Sequence, residues 1–149
     1  LSEDIDWTLS ILPNIQTLCF NSKPYYCYRQ QREGSTTTSR SYKWLHSLLY
    51  IIEKWAKAIP QLPIPPEERD IYLGYLAYQL SIVMTIYPDI DASYKKETLK
   101  KINALKHLFN GTLNFKTAKV RRLMRLAGTA NTCRVLCLFV KARHLIHKI

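Results

Sequence analysis

Residues 115–126, FKTAKVRRLMRL, hold five cations and no anion. Lysines and arginines at this density suit one chemistry above others: they displace the counterions of a polyanion and hold its phosphates. On a helix at about 100° per residue, Val120, Leu123, Met124 and Ala127 share one side. Lys119, Arg121, Arg122 and Arg125 share the other. One face is available to a core and the opposite face to a ligand. Lys95, Lys96, Lys100 and Lys101 form a second cluster, and Arg134 and Lys141 a third. Helices joined by short turns tend to be neighbours, so the three clusters can merge into one surface.

A second feature lies at 23–32, where Tyr25, Tyr26 and Tyr28 stand beside Arg29 and Arg32. Rings interleaved with arginines can stack unpaired bases at roughly 1–3 kcal/mol per base. The same tyrosines can instead anchor a long loop to the core. The leading expectation is a non-enzymatic nucleic-acid-binding domain, with RNA a candidate ligand. Its phosphate contacts fall to Lys96, Lys100, Lys101, Lys119, Arg121, Arg122, Arg125, Arg134 and Lys141, with Tyr26, Tyr28, Arg29 and Arg32 beside them. The alternative is a helical module that docks an acidic protein partner or a second copy of itself. An anionic membrane surface is a weaker third, because the apolar side of 115–127 holds Val, Ala and Met with Phe115 its one aromatic.

Catalytic and metal-binding signatures are sparse. There is no Gly-rich phosphate loop, no GxSxG and no HExxH. Arg40 with His46 and Arg143 with His147 have spacings similar to helical ribonuclease sites, but 22 basic residues generate such pairs readily. His46 falls on a polar helix face, so no catalytic residue is assigned. Cys133, Cys137 and His144 share a helix side, yet His144 sits roughly 10 Å further along the axis than Cys137, too far to share an ion with the two cysteines. Cys19 and Cys27 are not at a zinc-knuckle spacing, so the cysteines are expected to be small core residues. No cofactor is expected.

The bulk composition bounds these readings. The chain has 149 residues, 47% hydrophobic and 22% charged, which suits one globular domain with a real core. Four glycines favour helices over a turn-rich β-fold. Residues 1–92 hold eight Lys and Arg against ten Asp and Glu, a net −2. Residues 93–149 hold fourteen against Glu97 alone, a net +13. Charge divided this sharply marks a surface built for an anionic partner. Four unevenly spaced cysteines make no disulfide framework, which points to an intracellular protein, nuclear or cytoplasmic, or a viral protein working inside a cell. The first residue is Leu1 rather than Met, as in an excised or processed product, and no leader is visible. Asn110-Gly111-Thr112 fits a glycosylation acceptor but reads better as a helix end followed by a turn. The hydroxyl-rich 35–41 segment, STTTSRS, is a candidate for phosphorylation that competes for the basic face.

The positioning elements are helical, and an all-α domain of about six helices is expected over 1–149. Ser2 is placed to cap EDIDWTLSIL, which Pro13 ends or kinks, and NIQTLCF is expected to continue as a second short helix. Residues 21–40 show no helical period and read as a long loop. Over 41–59, Leu45, Leu48, Leu49, Ile52, Trp55, Ala56 and Ile59 repeat at three and four. PQLPIPP is a stiff connector, and the helix 67–87 beyond it is apolar almost all round. Its 17-residue apolar run is short of a membrane span, which needs about 20, so it is expected at the centre of the core. Asp91 or Ser93 caps a lysine-rich helix to about Phe109, and helices at 115–127 and from 129 almost to the end are divided by Gly128. The basic helical portion is therefore 93–149.

Residues 53–70, EKWAKAIPQLPIPPEERD, resemble the third-helix signature of nuclear-receptor ligand-binding domains in their Trp-Ala-Lys-x-Ile-Pro core. The resemblance spans about an eighth of the chain. Such domains are much longer and no matching later helices follow, so it implies no ligand and no function for this chain.

Overall fold

The computed structural model describes residues 2–23, 42–111 and 114–146. Five α-helices lie among them: α1 (Glu3–Ile11), α2 (Tyr42–Ala58), α3 (Pro66–Ile86), α4 (Ala92–Leu105) and α5 (Phe115–Ile146). No strand occurs among the described residues, so the fold is all-α as the composition implies. Gly128, inside α5, has φ 76° and ψ 165°, a region essentially reserved for glycine. It divides α5 into two rods, so the α-helical rods among the described residues number six.

α3 is the central element because its sequence leaves no polar face wide enough to meet water. Leu76, Ala77, Leu80, Val83 and Met84 are wholly buried, and Gln79 and Ile86 nearly so. α2 covers one side with Leu45, Leu48, Leu49, Ile52 and Trp55, as its three-and-four spacing predicts. α4 contributes Ile102 and Leu105, and α5 contributes Val120 and Cys133. Each such side chain contributes roughly 1.5–3 kcal/mol by leaving water. Lys43, Tyr50, Lys54 and Lys57 stay on the outer side of α2.

Local signals fix most of the ends. Asp91 caps α4, its carboxylate accepting the Ser93 N–H at 2.8 Å and the Ser93 hydroxyl at 2.6 Å. Asn114 does the same for α5, accepting the Lys116 N–H at 2.9 Å. The proline-rich connector is fastened by Arg69, whose guanidinium donates to the carbonyls of Leu62 and Ile64 at 3.3 Å each. Tyr42 and Tyr94 stack with ring centroids 3.7 Å apart and join α2 to α4.

Two expectations fail. Residues 15–21 form no helix: a 3₁₀ turn at Leu12–Asn14 ends with Ile15 extended, at φ −81° and ψ 120°. Leu18 and Phe20 are exposed there, and a seven-residue helix without packing does not repay its nucleation cost. Ser2 occupies the N-cap position of α1 but in the left-handed region, φ 63°, with no side-chain cap. Capping needs an extended backbone to aim the hydroxyl at the first turn. The Ser2 carbonyl instead accepts the N–H groups of Ile5 and Asp6.

α1 is tied to α2 by Asp6, whose carboxylate accepts from Lys54 at 2.8 and 3.0 Å and from the Trp55 indole at 2.6 Å. The hydrogen bond from the Lys54 ammonium holds the Asp6 carboxyl below its ordinary 3.8; burial opposes it, and the Trp55 indole adds a lesser lowering. Because the folded value is the lower one, this contribution is present above the ordinary pKa and is lost as pH falls through the folded value. The ion pair is 46% and 37% exposed, so the part-buried indole bond is the stronger tie. Asp6→Ala should cost about 1–2 kcal/mol at pH 7. Asp6→Asn, which keeps an acceptor for Trp55, should cost less than about 1 kcal/mol. Urea melts should show the gap between wild type and Asp6→Asn closing in acid; a gap that persists unchanged at pH 2 would contradict the assignment.

Candidate functional site

The first rod of α5 sets one face on the core and one outward. Thr117 and Val120 are buried and Leu123, Met124 and Ala127 half-buried, while Lys119, Arg122 and Arg125 are exposed. Arg121 lies at the boundary, where its guanidinium donates to the Asn110 carbonyl at 2.8 Å. Lys119 stands 5.5 Å above the centroid of Phe115, a ring that is itself largely exposed.

Carboxylates cancel little of this charge. Thirteen Lys and Arg lie among the described residues between 93 and 146. Ion pairs hold two of them there: Lys101 to Glu97 at 3.1 Å and Lys141 to Asp89 at 2.7 Å. Lys101 also turns toward α2, with Nζ 3.4 Å from His46 Nε2. The Asp89 carboxylate raises the Lys141 pKa. Lys96 and Lys100 remain exposed on α4, and Arg134 on α5 reaches Asn131 Oδ1 at 3.3 Å. Tyr26, Tyr28, Arg29 and Arg32 lie outside the described residues, as do Cys27 and the 35–41 segment.

Where α4 ends and α5 bends, cations from both helices converge on a cavity of about 450 Å³. It is lined by Lys106, His107, Arg121 and Arg125, with Asn110 and Thr129 beside them and Met124 and Phe109 as its apolar part. No carboxylate lines it. Two bonds brace the walls: Arg121 on Asn110, and the Thr129 hydroxyl on Asn103 Oδ1 at 2.6 Å. A cavity of about 490 Å³ between α3 and the start of α5 is different in kind, since Asp70 opposes Lys116 among Ile71, Tyr75 and Tyr78. Arg121 and Arg125 were legible as one stripe in the sequence, but Lys106 and His107 were not joined to them. The signals that could have found the pair are the glycine break at 128 and the short turn after Phe109, which together fold the basic stripe back on the end of α4.

The second rod of α5 turns an apolar face to solvent. Thr132, Cys133 and Cys137 face the core, but Val135, Leu138, Phe139, Leu145 and Ile146 are 46–70% exposed on the far side. Phe115–Arg143 is long and apolar enough to cross a membrane by length and composition. Gly128 interrupts that length, Arg125 and Arg134 lie within it, and only 17% of the apolar window is buried, so the helix lends one narrow side to the core and leaves an uncovered outer arc.

No family model, curated protein or solved structure matches the chain.

The cysteines behave as their positions dictate. Burial pushes the Cys133 thiol up to about 12, and Cys137, also buried, donates weakly to Asp89 at 3.5 Å. Cys19 is exposed. Iodoacetamide at pH 8 followed by peptide mapping should label Cys19 and spare Cys133 and Cys137 until denaturant is added. Labelling of Cys133 in the native protein at the rate of Cys19 would contradict this packing.

Proposed function

We propose that this protein binds nucleic acid through the outward face of α4 and the first rod of α5, as a binding module without catalysis. The observation that carries the reading is the uncancelled charge: among the described residues, eleven of the thirteen cations in 93–146 form no ion pair with a carboxylate. Lys96, Lys100, Lys119, Arg121, Arg122, Arg125 and Arg134 contact phosphates, and Lys101 and Lys141 contribute less because each is held by an acid. The exposed Phe115 ring under Lys119 offers a base-stacking surface beside the phosphate track. An ammonium or guanidinium without a carboxylate keeps its counterions until a polyanion displaces them, so affinity follows salt.

Binding of a labelled single strand and a duplex should be micromolar or tighter at low salt. Seven phosphate contacts give a log–log salt slope of about −6 on a duplex and about −5 on a single strand. Replacing Arg121, Arg122 and Arg125 together with Glu should remove binding while circular dichroism stays helical. Affinity indifferent to salt, or retained after the reversal, would refute the reading.

A second reading has its own observation, the apolar outer arc of α5. A contiguous exposed apolar surface marks an interaction site. Arg134 and Arg143 flank the arc and disfavour pairing with a second copy, so an acidic amphipathic helix is the better complement. The two readings separate by variant. Leu138→Glu should leave strand binding unchanged under the first, and Arg125→Glu should weaken it; the reverse pattern would transfer the site to the outer arc.

A further inference from the structure

The cavity at the bend of α5 is larger than the surface reading requires. A phosphate group needs only cations, and one sitting on an open basic face would find them on Arg122 or Lys96. At about 450 Å³ the cavity has the size of a small-molecule site. Its lining is also mixed: Lys106, His107, Arg121 and Arg125 are basic, Asn110 and Thr129 are neutral hydrogen-bonding groups, and Met124 and Phe109 are apolar. A purely anionic ligand would leave the apolar part facing water or charge. A neutral apolar ligand would leave three permanent cations unmatched.

We propose that this cavity is a nucleotide subsite, which takes one 5′-phosphorylated nucleoside unit. Arg121, Arg125 and Lys106 hold the phosphate, Asn110 and Thr129 meet sugar or base polar atoms, and Met124, half-buried at the wall, receives the base. The guanidinium of Arg121 is braced on the Asn110 carbonyl and the Thr129 side chain on Asn103, so both are positioned before ligand arrives. Restraint of that kind lowers the entropy lost on binding. Arg121 keeps further N–H donors beyond the one used on Asn110, and a planar guanidinium suits phosphate oxygens. The inference rests on the nucleic-acid reading and deepens it, adding a discrete grip on one nucleotide to a diffuse field.

The test is an amide-shift titration of the whole chain with AMP, adenosine and inorganic phosphate as separate probes. AMP should saturate, with shifts confined to 106–110 and 121–129. Adenosine and phosphate should each bind about tenfold or more weakly, since each fills half of the site. Arg125→Gln and Lys106→Gln should each weaken AMP about tenfold or more. Arg122→Gln and Lys96→Gln, which remove the same charge elsewhere, should change it less than about twofold. Equal weakening by all four variants, or phosphate binding as tightly as AMP, would overturn the subsite. A salt-sensitive strand complex without an AMP site would sink the subsite and spare the surface reading. An AMP site in a chain that binds no strand would sink the surface reading and leave the cavity as a site for free nucleotides.

Discussion

The fold depends on covering α3. A helix that is apolar almost all round must be enclosed, and among the described residues α2, α4 and α5 supply most of the cover, with Leu9 of α1 joining the same core. Each spends its apolar side on α3 and turns the other side to water. Which ligand that water-facing side meets is therefore decided by whatever residues the sequence places between the apolar ones. In α2 they are mixed; beyond Glu97 they are lysine, arginine and neutral residues only. Burial at the centre thereby segregates charge at the exterior, without any direct selection for where each lysine points.

Much of this was legible in the amino-acid order because it is local. The stripe Leu45, Leu48, Leu49, Ile52, Trp55 has a period, Asp91 and Ser93 form a cap, and Gly128 breaks a helix at its own position. Features that depend on distant partners were not legible. Asp89 neutralises Lys141 across 52 positions, and nothing in either neighbourhood announces the other. Lys101 was grouped with Lys100 by adjacency, though a helix sends neighbours about 100° apart and Lys101 meets Glu97 and His46 instead. NIQTLCF has helix-like spacing without a surface to pack on, so pattern alone misled.

The second rod of α5 shows the same logic from the other side. Cys133 and Cys137 lie on the core side as small apolar residues, which the sequence suggested. The rod carries more apolar residues than one buried stripe can use, and the surplus faces outward at Leu138 and Phe139. Periodicity identifies a face that can be buried; only the assembled neighbours determine how many faces are. The basic cavity follows the same rule, since Lys106 and His107 gain their meaning from the bend that brings Arg121 and Arg125 to them.

The central claim concerns electrostatic potential, and it can be read residue by residue. Relaxation enhancement of backbone amides by an anionic nitroxide, relative to a neutral nitroxide of the same size, reports the local concentration of negative co-solute. The ratio should be highest around 119–125 and 106–107, intermediate near Lys96 and Lys100, and close to unity near Lys141 and over the outer face of α2. A ratio uniform over the molecule, or one as high beside Lys141 as beside Arg125, would contradict the segregation on which the functional reading stands.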